Sequence, residues 1–140
     1  MTEPLTISTD PARLDIDLIH AFLSEQAYWA IGRPRALTER AIAHSLCFGA
    51  YDAEGAQLAF ARVVTDRALF AYLADVFVVP EGRGRGVGKA LVAAIMEHED
   101  VRSLRRVVLA TDDAHGLYAP FGFTPLSDAE KWMGIRRGPV

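Results

Sequence analysis

A chain of 140 residues, 51% hydrophobic and 24% charged, has the size and balance of one globular domain. Its net charge of −3 excludes a molecule that holds nucleic acid by bulk electrostatics, so any anion site must be local. The single cysteine, Cys47, excludes an internal disulfide framework and a Cys-rich metal centre.

Taken in chain order, the opening "MTEPLTISTDPARLD" lacks a basic end followed by an apolar stretch. No run approaches the roughly 20 apolar residues that span a bilayer. A cytoplasmic protein with no membrane partner is therefore expected. "LTIS" reads as a short first strand. Asp10 then offers an N-cap with Pro11 at the first helical position, and Leu14, Leu18, Ala21, Phe22 and Glu25 follow helical spacing. "YWAIGRP" ends that pattern with Gly32 and Pro34, and residues 38–44 predict a second helix capped by Thr38. "LCFGAYD" and "QLAFARVVTD" form two strand-like runs around "AEGA", where Gly55 suits a hairpin turn. Cys47, inside the first of these runs, reads as a small buried hydrophobe.

"LFAYLADVFVV" is aromatic and β-branched, a central strand. After a glycine-rich turn, Val87, Ala90, Leu91, Ala94 and Ile95 recur with the spacing of an amphipathic helix. "RRVVLAT" predicts a further strand, "DAHGLYAPF" a short helix broken at Pro120, and "KWMGIRR" a final strand. With no repeat or linker, the order is that of a single α/β domain over residues 1–140, a mixed sheet with helices packed on it.

The turn "PEGRGRGVGKAL" (residues 80–91) carries the chemistry. A strand that feeds glycines into a helix N-terminus exposes N–H groups with no intrahelical partner, where the helix dipole adds positive charge. Glycines keep side chains out of an anion's way. A Walker A loop is excluded, because it needs glycine where Arg83 stands and Ser or Thr where Ala90 stands. A dinucleotide fingerprint fails as well, since Lys89 and Leu91 occupy positions that need small residues.

Arg-x-x-Gly-x-Gly does fit, on Arg83, Gly86 and Gly88. Here the sequence resembles the GCN5-related N-acetyltransferases, whose coenzyme A loop is Gln/Arg-x-x-Gly-x-Gly/Ala in the same setting. "LYAPFGF" (residues 117–123) is similar to the family's Leu-Tyr-x-x-x-Gly-Phe segment. One departure stands out. Many members carry Asn before the tyrosine helix, where this chain has Thr111, Asp112 and Asp113.

The resemblance implies a mostly antiparallel sheet splayed at a central parallel pair, acetyl-CoA as acyl donor, and direct transfer to an amine. It implies that the backbone of Arg83, Gly84, Arg85, Gly86, Val87 and Gly88 cradles the pyrophosphate, with the Arg83, Arg85 and Lys89 side chains near it. Phe77, Val78 and Val79 would line the pantetheine and thioester, a main-chain N–H near Phe77 or Val78 facing the thioester oxygen. Leu117, Tyr118 and Phe121 would close the coenzyme site. Tyr118 stands at the family's usual acid position, facing the coenzyme sulfur, and the alternative is an aromatic packed beside Phe121 and Phe123.

For the base, Asp75 sits where several members place an acidic residue on the strand beside the thioester. The competing reading makes it an acceptor for backbone or arginine donors. Asp66, Asp112, Asp113 and His115 are reserves. No histidine has metal-ligand spacing, and no metal is expected.

In the family the first two helices, their connecting loop and the final strands build the acceptor pocket. That loop is "YWAIGRP", where Tyr28 and Trp29 would wall a pocket or plug the core, and Arg33 would pair with an acceptor carboxylate. Arg62, Asp66, Tyr72 and Asp112 would complete the site, with acidic residues suited to a cationic amine. The leading reading is transfer to a small-molecule or amino-acid-like primary amine. The alternatives are transfer to a protein N-terminus or lysine, and a non-catalytic acyl-CoA-binding regulatory domain. Nucleic acid is not expected as a partner, and a homodimer is left open.

Overall fold

The computed structural model describes residues 4–138. Strands β1 (Thr6–Ser8), β2 (Leu46–Tyr51), β3 (Gln57–Thr65), β4 (Phe70–Val78) and β5 (Arg106–Val108) form a single sheet in that spatial order. The first four run antiparallel to their neighbours, and only β4 and β5 are parallel. The hairpin between β2 and β3 turns at Gly55, whose φ of +86° needs a glycine.

Helices α1 (Ile16–Glu25), α2 (Arg35–Ala43), α3 (Val87–Glu97) and α4 (His115–Tyr118) flank the sheet. From α1, Phe22 stacks on Phe77 of β4 with ring centroids 4.2 Å apart. From α3, Val87, Leu91, Val92 and Ile95 are buried, and the helix packs chiefly on β2 and β3. Each such side chain withdrawn from water contributes about 1.5–3 kcal/mol. No helix of the described residues is long and apolar enough to cross a membrane.

Four sequence expectations are corrected. Asp10 does cap a turn, its Oδ1 accepting from the Ala12 N–H at 3.0 Å, but that turn is a three-residue 3-10 segment. The helix proper starts after Asp15, whose Oδ1 accepts from the Leu18 N–H at 3.1 Å. Thr38 does not cap α2: Pro34 precedes the first helical residue, and Thr38 is buried with its hydroxyl 2.9 Å from His20 Nδ1. The strand "RRVVLAT" pairs only over Arg106–Val108, because β4 and the chain beyond Val108 diverge. Finally, "KWMGIRR" forms no strand. Lys131 closes a short 3-10 turn, and residues 132–137 lie outside every helix and strand.

β4 is bent by a bulge that positions everything below. Phe60 pairs with Phe77 and Arg62 with Ala74, so Ala61 of β3 faces two residues of β4, Asp75 and Val76. Asp75 takes the strain, with φ +53°, a left-handed conformation rarely adopted by residues other than glycine. Past Tyr72, which pairs with Val108, β4 has no partner on its β5 side. The opening between the two strands starts there.

Leu91→Ala tests how far α3 carries the domain. The side chain is completely buried, so a loss of about 2–5 kcal/mol is expected from chemical denaturation, the range for truncating a core leucine.

Candidate active site

A cavity of about 680 Å³ opens where β4 and β5 part. Its wall comes from the loop between α1 and α2 (Tyr28, Trp29, Arg33), from β3 and β4 (Arg62 and residues 72–76), and from residues 109–114 with Tyr118. Arg136 reaches its rim.

At its floor lies Asp75, with a side chain 3% exposed. Arg33 grips it with two nitrogens, Nη1 to Oδ2 at 2.9 Å and Nη2 to Oδ1 at 3.2 Å. Arg62 Nε donates to Oδ2 at 2.9 Å, and the Trp29 indole N–H donates to Oδ1 at 2.9 Å. Each oxygen thus accepts two bonds, and the roughly four lone-pair sites of a carboxylate are filled. Burial pushes the Asp75 pKa up, but the hydrogen bond from Arg33 and the charges of Arg62 and Arg33 outweigh it and hold the carboxyl below its ordinary value. Of the two readings of Asp75, base or acceptor for arginine donors, its contacts are those of the second, an anion whose hydrogen-bonding sites are filled.

The same cluster holds more positive charge than negative. Two guanidinium groups, with side chains 16% and 15% exposed, share one carboxylate. Arg62 also donates to the Ser45 hydroxyl at 3.2 Å. One net positive charge therefore faces the cavity floor. Nearer the rim stand Asp112 and Asp113, carboxylates that no arginine engages among the described residues. The Tyr28 hydroxyl accepts from the Asp112 backbone N–H at 3.0 Å, which leaves its own proton free, and its ring meets Trp29 edge-on at 5.0 Å.

Tyr118 is buried between the cavity and a second, apolar groove, and Phe123 packs against it edge to face at 5.8 Å. Burial pushes its hydroxyl pKa up to about 12, helped by Tyr28 and Asp113 nearby. It stays protonated at any physiological pH. Among the described residues nothing in the protein bonds its hydroxyl, so it is a donor without an acceptor.

The glycine turn and the tyrosine segment, thirty residues apart in sequence, meet in space. A Cβ added at Gly88 would sit 3.6 Å from Val78 Cγ2 and 3.8 Å from Leu117. Gly84 and Gly86 have φ of +75° and +74°, with open space where a side chain would project. Gly86 is the N-cap of α3 and supplies no side-chain cap, so the first-turn N–H groups of Val87, Gly88 and Lys89 face outward unpartnered. This cradle fits a phosphate-bearing ligand. Arg83 Nε donates to the Val78 carbonyl at 3.3 Å and Arg85 Nη1 to the Glu81 carbonyl at 3.2 Å, while Lys89 is exposed.

Of the residues named for the coenzyme, Phe77 and Val79 are buried in the core, and Val78 and Phe121 are half-buried. Tyr28, Trp29, Arg33, Arg62, Tyr72 and Asp112 all line the cavity. Asp66 does not. Its Oδ1 accepts from the N–H groups of Leu69, Ala68 and Phe70, and those bonds lower its pKa in the turn before β4. His115 lines the second groove instead. Sequence reading missed Ser45 and Arg136, a serine and an arginine in segments with no motif. Cys47 is buried, which pushes its thiol pKa up to about 11. Among the described residues no group of three or more His, Cys, Asp or Glu is placed to hold a metal ion.

The comparisons with known proteins agree on one family. A model described as an acetyltransferase (GNAT) domain matches residues 43–125. A candidate acetyltransferase of Gibberella zeae is 34% identical over 131 residues, 80% of this chain and 74% of that protein. The crystal structure of a candidate GNAT acetyltransferase from Xanthomonas campestris pv. campestris superposes with a TM-score of 0.93 at 54% identity, covering 99% of this chain and 96% of that one. A Clostridium acetobutylicum structure solved with acetyl-CoA shares the fold at a TM-score of 0.69 and 14% identity, covering 95% of this chain and 96% of its own.

Asp75→Asn removes the anion and keeps a residue that tolerates a positive φ. Two half-buried arginines then lose their counter-charge, and up to about 3–5 kcal/mol of stability is expected to go at neutral pH, measured by urea unfolding. A carboxyl whose folded pKa lies below its unfolded value stabilises fully above about pH 4, and that stabilisation is lost as pH falls through the folded pKa. The difference between native protein and variant should therefore shrink below about pH 4.

Proposed function

The chain belongs to the GNAT family of acetyltransferases, and from that premise we propose that its acceptor is the primary amine of a small, amino-acid-like molecule held in the cavity between β4 and β5. The observation that carries this reading is the charge layout. The floor, Arg33 and Arg62 around Asp75, holds a net positive charge that suits a carboxylate, and the rim, Asp112 and Asp113, suits an ammonium group. A zwitterion matches both ends.

The acetyl donor of the family is acetyl-CoA, which supplies a thioester carbonyl that an amine can attack. The turn at residues 83–88 would hold its pyrophosphate through the first-turn N–H groups of α3, with Arg83, Arg85 and Lys89 beside it. The edge of β4 beyond Tyr72 offers unpaired backbone groups toward the opening. An N–H near Phe77 or Val78 would donate to the carbonyl oxygen as negative charge develops on it.

Proton traffic then divides between two ends of the cavity. Tyr118, protonated and without a protein acceptor, donates its hydroxyl proton to the departing sulfur. The ammonium proton of the acceptor leaves through water toward Asp112 or Asp113, because Asp75 has no lone pair to spare. Asp75 acts as a positioning residue that holds Arg33, Arg62 and Trp29 in place. No metal enters this scheme.

The direct test is a screen of amino acids and other small amines with acetyl-CoA, read by release of free thiol. Turnover with amino acids and none with their decarboxylated analogues is the expected result. Turnover only with peptides or protein lysines would overturn the acceptor reading.

Tyr118→Phe is expected to keep coenzyme binding, measured by calorimetry, and to lower kcat about 10²–10⁴-fold, the usual worth of a positioned acid. An unchanged kcat would show that the thiolate leaves unassisted.

Arg33→Lys keeps a cation beside Asp75 but loses the planar fork. The acceptor KM should rise roughly ten- to a hundredfold, equivalent to the ~1.5–3 kcal/mol of a hydrogen bond to a charged group. The KM for acetyl-CoA should stay constant, and an acceptor with a carboxamide in place of the carboxylate should feel little change. Equal effects on both acceptors would place Arg33 outside the acceptor site.

A further inference from the structure

Beyond its charged ends, the cavity between β4 and β5 is walled by aromatic and aliphatic groups. Its charged lining residues are Arg33, Arg62 and Asp75 at the floor, with Asp112, Asp113 and Arg136 toward the rim. Among the described residues the rest of the lining carries no charge and no carboxamide. Its one aliphatic hydroxyl, that of Thr111, already accepts from the Ala114 N–H at 3.1 Å.

Three rings stand in that uncharged wall. Tyr28 and Trp29 meet at an interplanar angle of 85°, ring centroids 5.0 Å apart, and so form a corner. Each is tied at its polar end. The Trp29 indole N–H donates to Asp75 at 2.9 Å, and the Tyr28 hydroxyl accepts from the Asp112 N–H at 3.0 Å. The corner is thus fixed before a ligand arrives, and little side-chain freedom remains to be lost on binding. Tyr72 adds a third ring from β4, at the last residue paired before β4 and β5 part.

Two of these rings are not core packing. Tyr28 is 51% exposed and Tyr72 40%. Large aromatic faces left to water inside a concave site are surface that a ligand can cover. The cavity, about 680 Å³, lies within the ~300–1,000 Å³ of pockets that enclose drug-sized ligands. It has room for a bulky group beside the reacting thioester.

We propose that the acceptor is an amino acid with a large apolar side chain, aromatic above aliphatic, and that Tyr28 and Tyr72 determine this specificity. The inference rests on the amino-acid reading given above. An amino acid presents a carboxylate, an ammonium group and a side chain. The floor suits the first and the rim the second, so the side chain is left to the uncharged wall. There a charged or amide side chain would lose its water and find no partner, whereas a ring covers Tyr28, Trp29 and Tyr72. The bonds made and broken stay those of the proposed transfer. The amine nitrogen bonds the acetyl carbon and the C–S bond breaks. The nitrogen sheds two protons, one balanced by the proton that the sulfur takes up and one released to water.

The test is steady-state kinetics of the full chain with acetyl-CoA and phenylalanine, leucine, alanine, aspartate, lysine or phenethylamine, read by thiol release. The kcat/KM for phenylalanine should exceed that for alanine at least about a hundredfold, since one methylene in an apolar pocket is worth roughly 10–200-fold. Aspartate and lysine should be the poorest amino acids. In Tyr72→Ala and in Tyr28→Ala the phenylalanine-to-alanine ratio should fall at least about tenfold, while Tyr72→Phe restores it. A merely structural role for these rings would lower both acceptors equally and leave the ratio intact. Equal use of phenylalanine and alanine, preference for aspartate or lysine, or a ratio that survives both alanine variants would overturn the proposal. Failure of every amino acid would overturn the amino-acid reading beneath it. Phenethylamine turned over as well as phenylalanine would sink only the carboxylate part of that reading and leave the side-chain preference standing. Should Tyr28→Ala unfold, Tyr72→Ala and the acceptor series of the native protein still decide.

Discussion

The structure depends on one buried anion. Asp75 sits in the middle of a strand, almost without solvent, and is tolerable there only because two arginines and an indole N–H fill its lone pairs. Those donors come from two places: Trp29 and Arg33 from the loop after α1, and Arg62 from the neighbouring strand. The carboxylate therefore ties a surface loop to the sheet. It also sits in the bulge with a positive φ, so the group that fixes the loop is the group at which β4 bends away from β5. Cavity and loop are two results of one electrostatic arrangement.

Asymmetry of charge follows from the same cluster. A single carboxylate neutralises one of two guanidinium groups, and the remaining charge is screened poorly because the side chains are mostly out of water. An acceptor carboxylate would complete the neutralisation. By contrast, the end proposed for the coenzyme presents backbone groups: left-handed glycines and an uncapped helix start. Under that proposal, backbone donors would recognise what every reaction of the family shares, and side chains what differs between acceptors.

Tyr118 links the two ends. Its ring packs against Phe123 while its hydroxyl, kept protonated by burial, has no internal acceptor. Under the proposed function, that hydroxyl is the donor to the departing sulfur.

The sequence by itself determined the glycine turn, the helix after it and the hairpin at Gly55, because each rests on local rules: backbone freedom at positive φ, an apolar stripe at helical spacing, alternation in strands. It also named most of the cavity's lining, since the family's two motifs fix which elements converge. What it left open was which charges pair. Asp75 to Arg33 spans 42 residues and no local pattern encodes it, so a carboxylate with the right neighbours in sequence could be read as base or as counterion until the fold filled its lone pairs. Asp66 shows the same limit in reverse: an acid near the right strand proved to be a turn cap, because its three backbone partners lie within four residues. Thr38 and Asp10 were misjudged by a few residues for a related reason, since Pro34 and Asp15 compete for the same helix starts. The alternation of "KWMGIRR" was legible, but a strand exists only where its backbone pairs, and in the tertiary structure this segment joins no sheet.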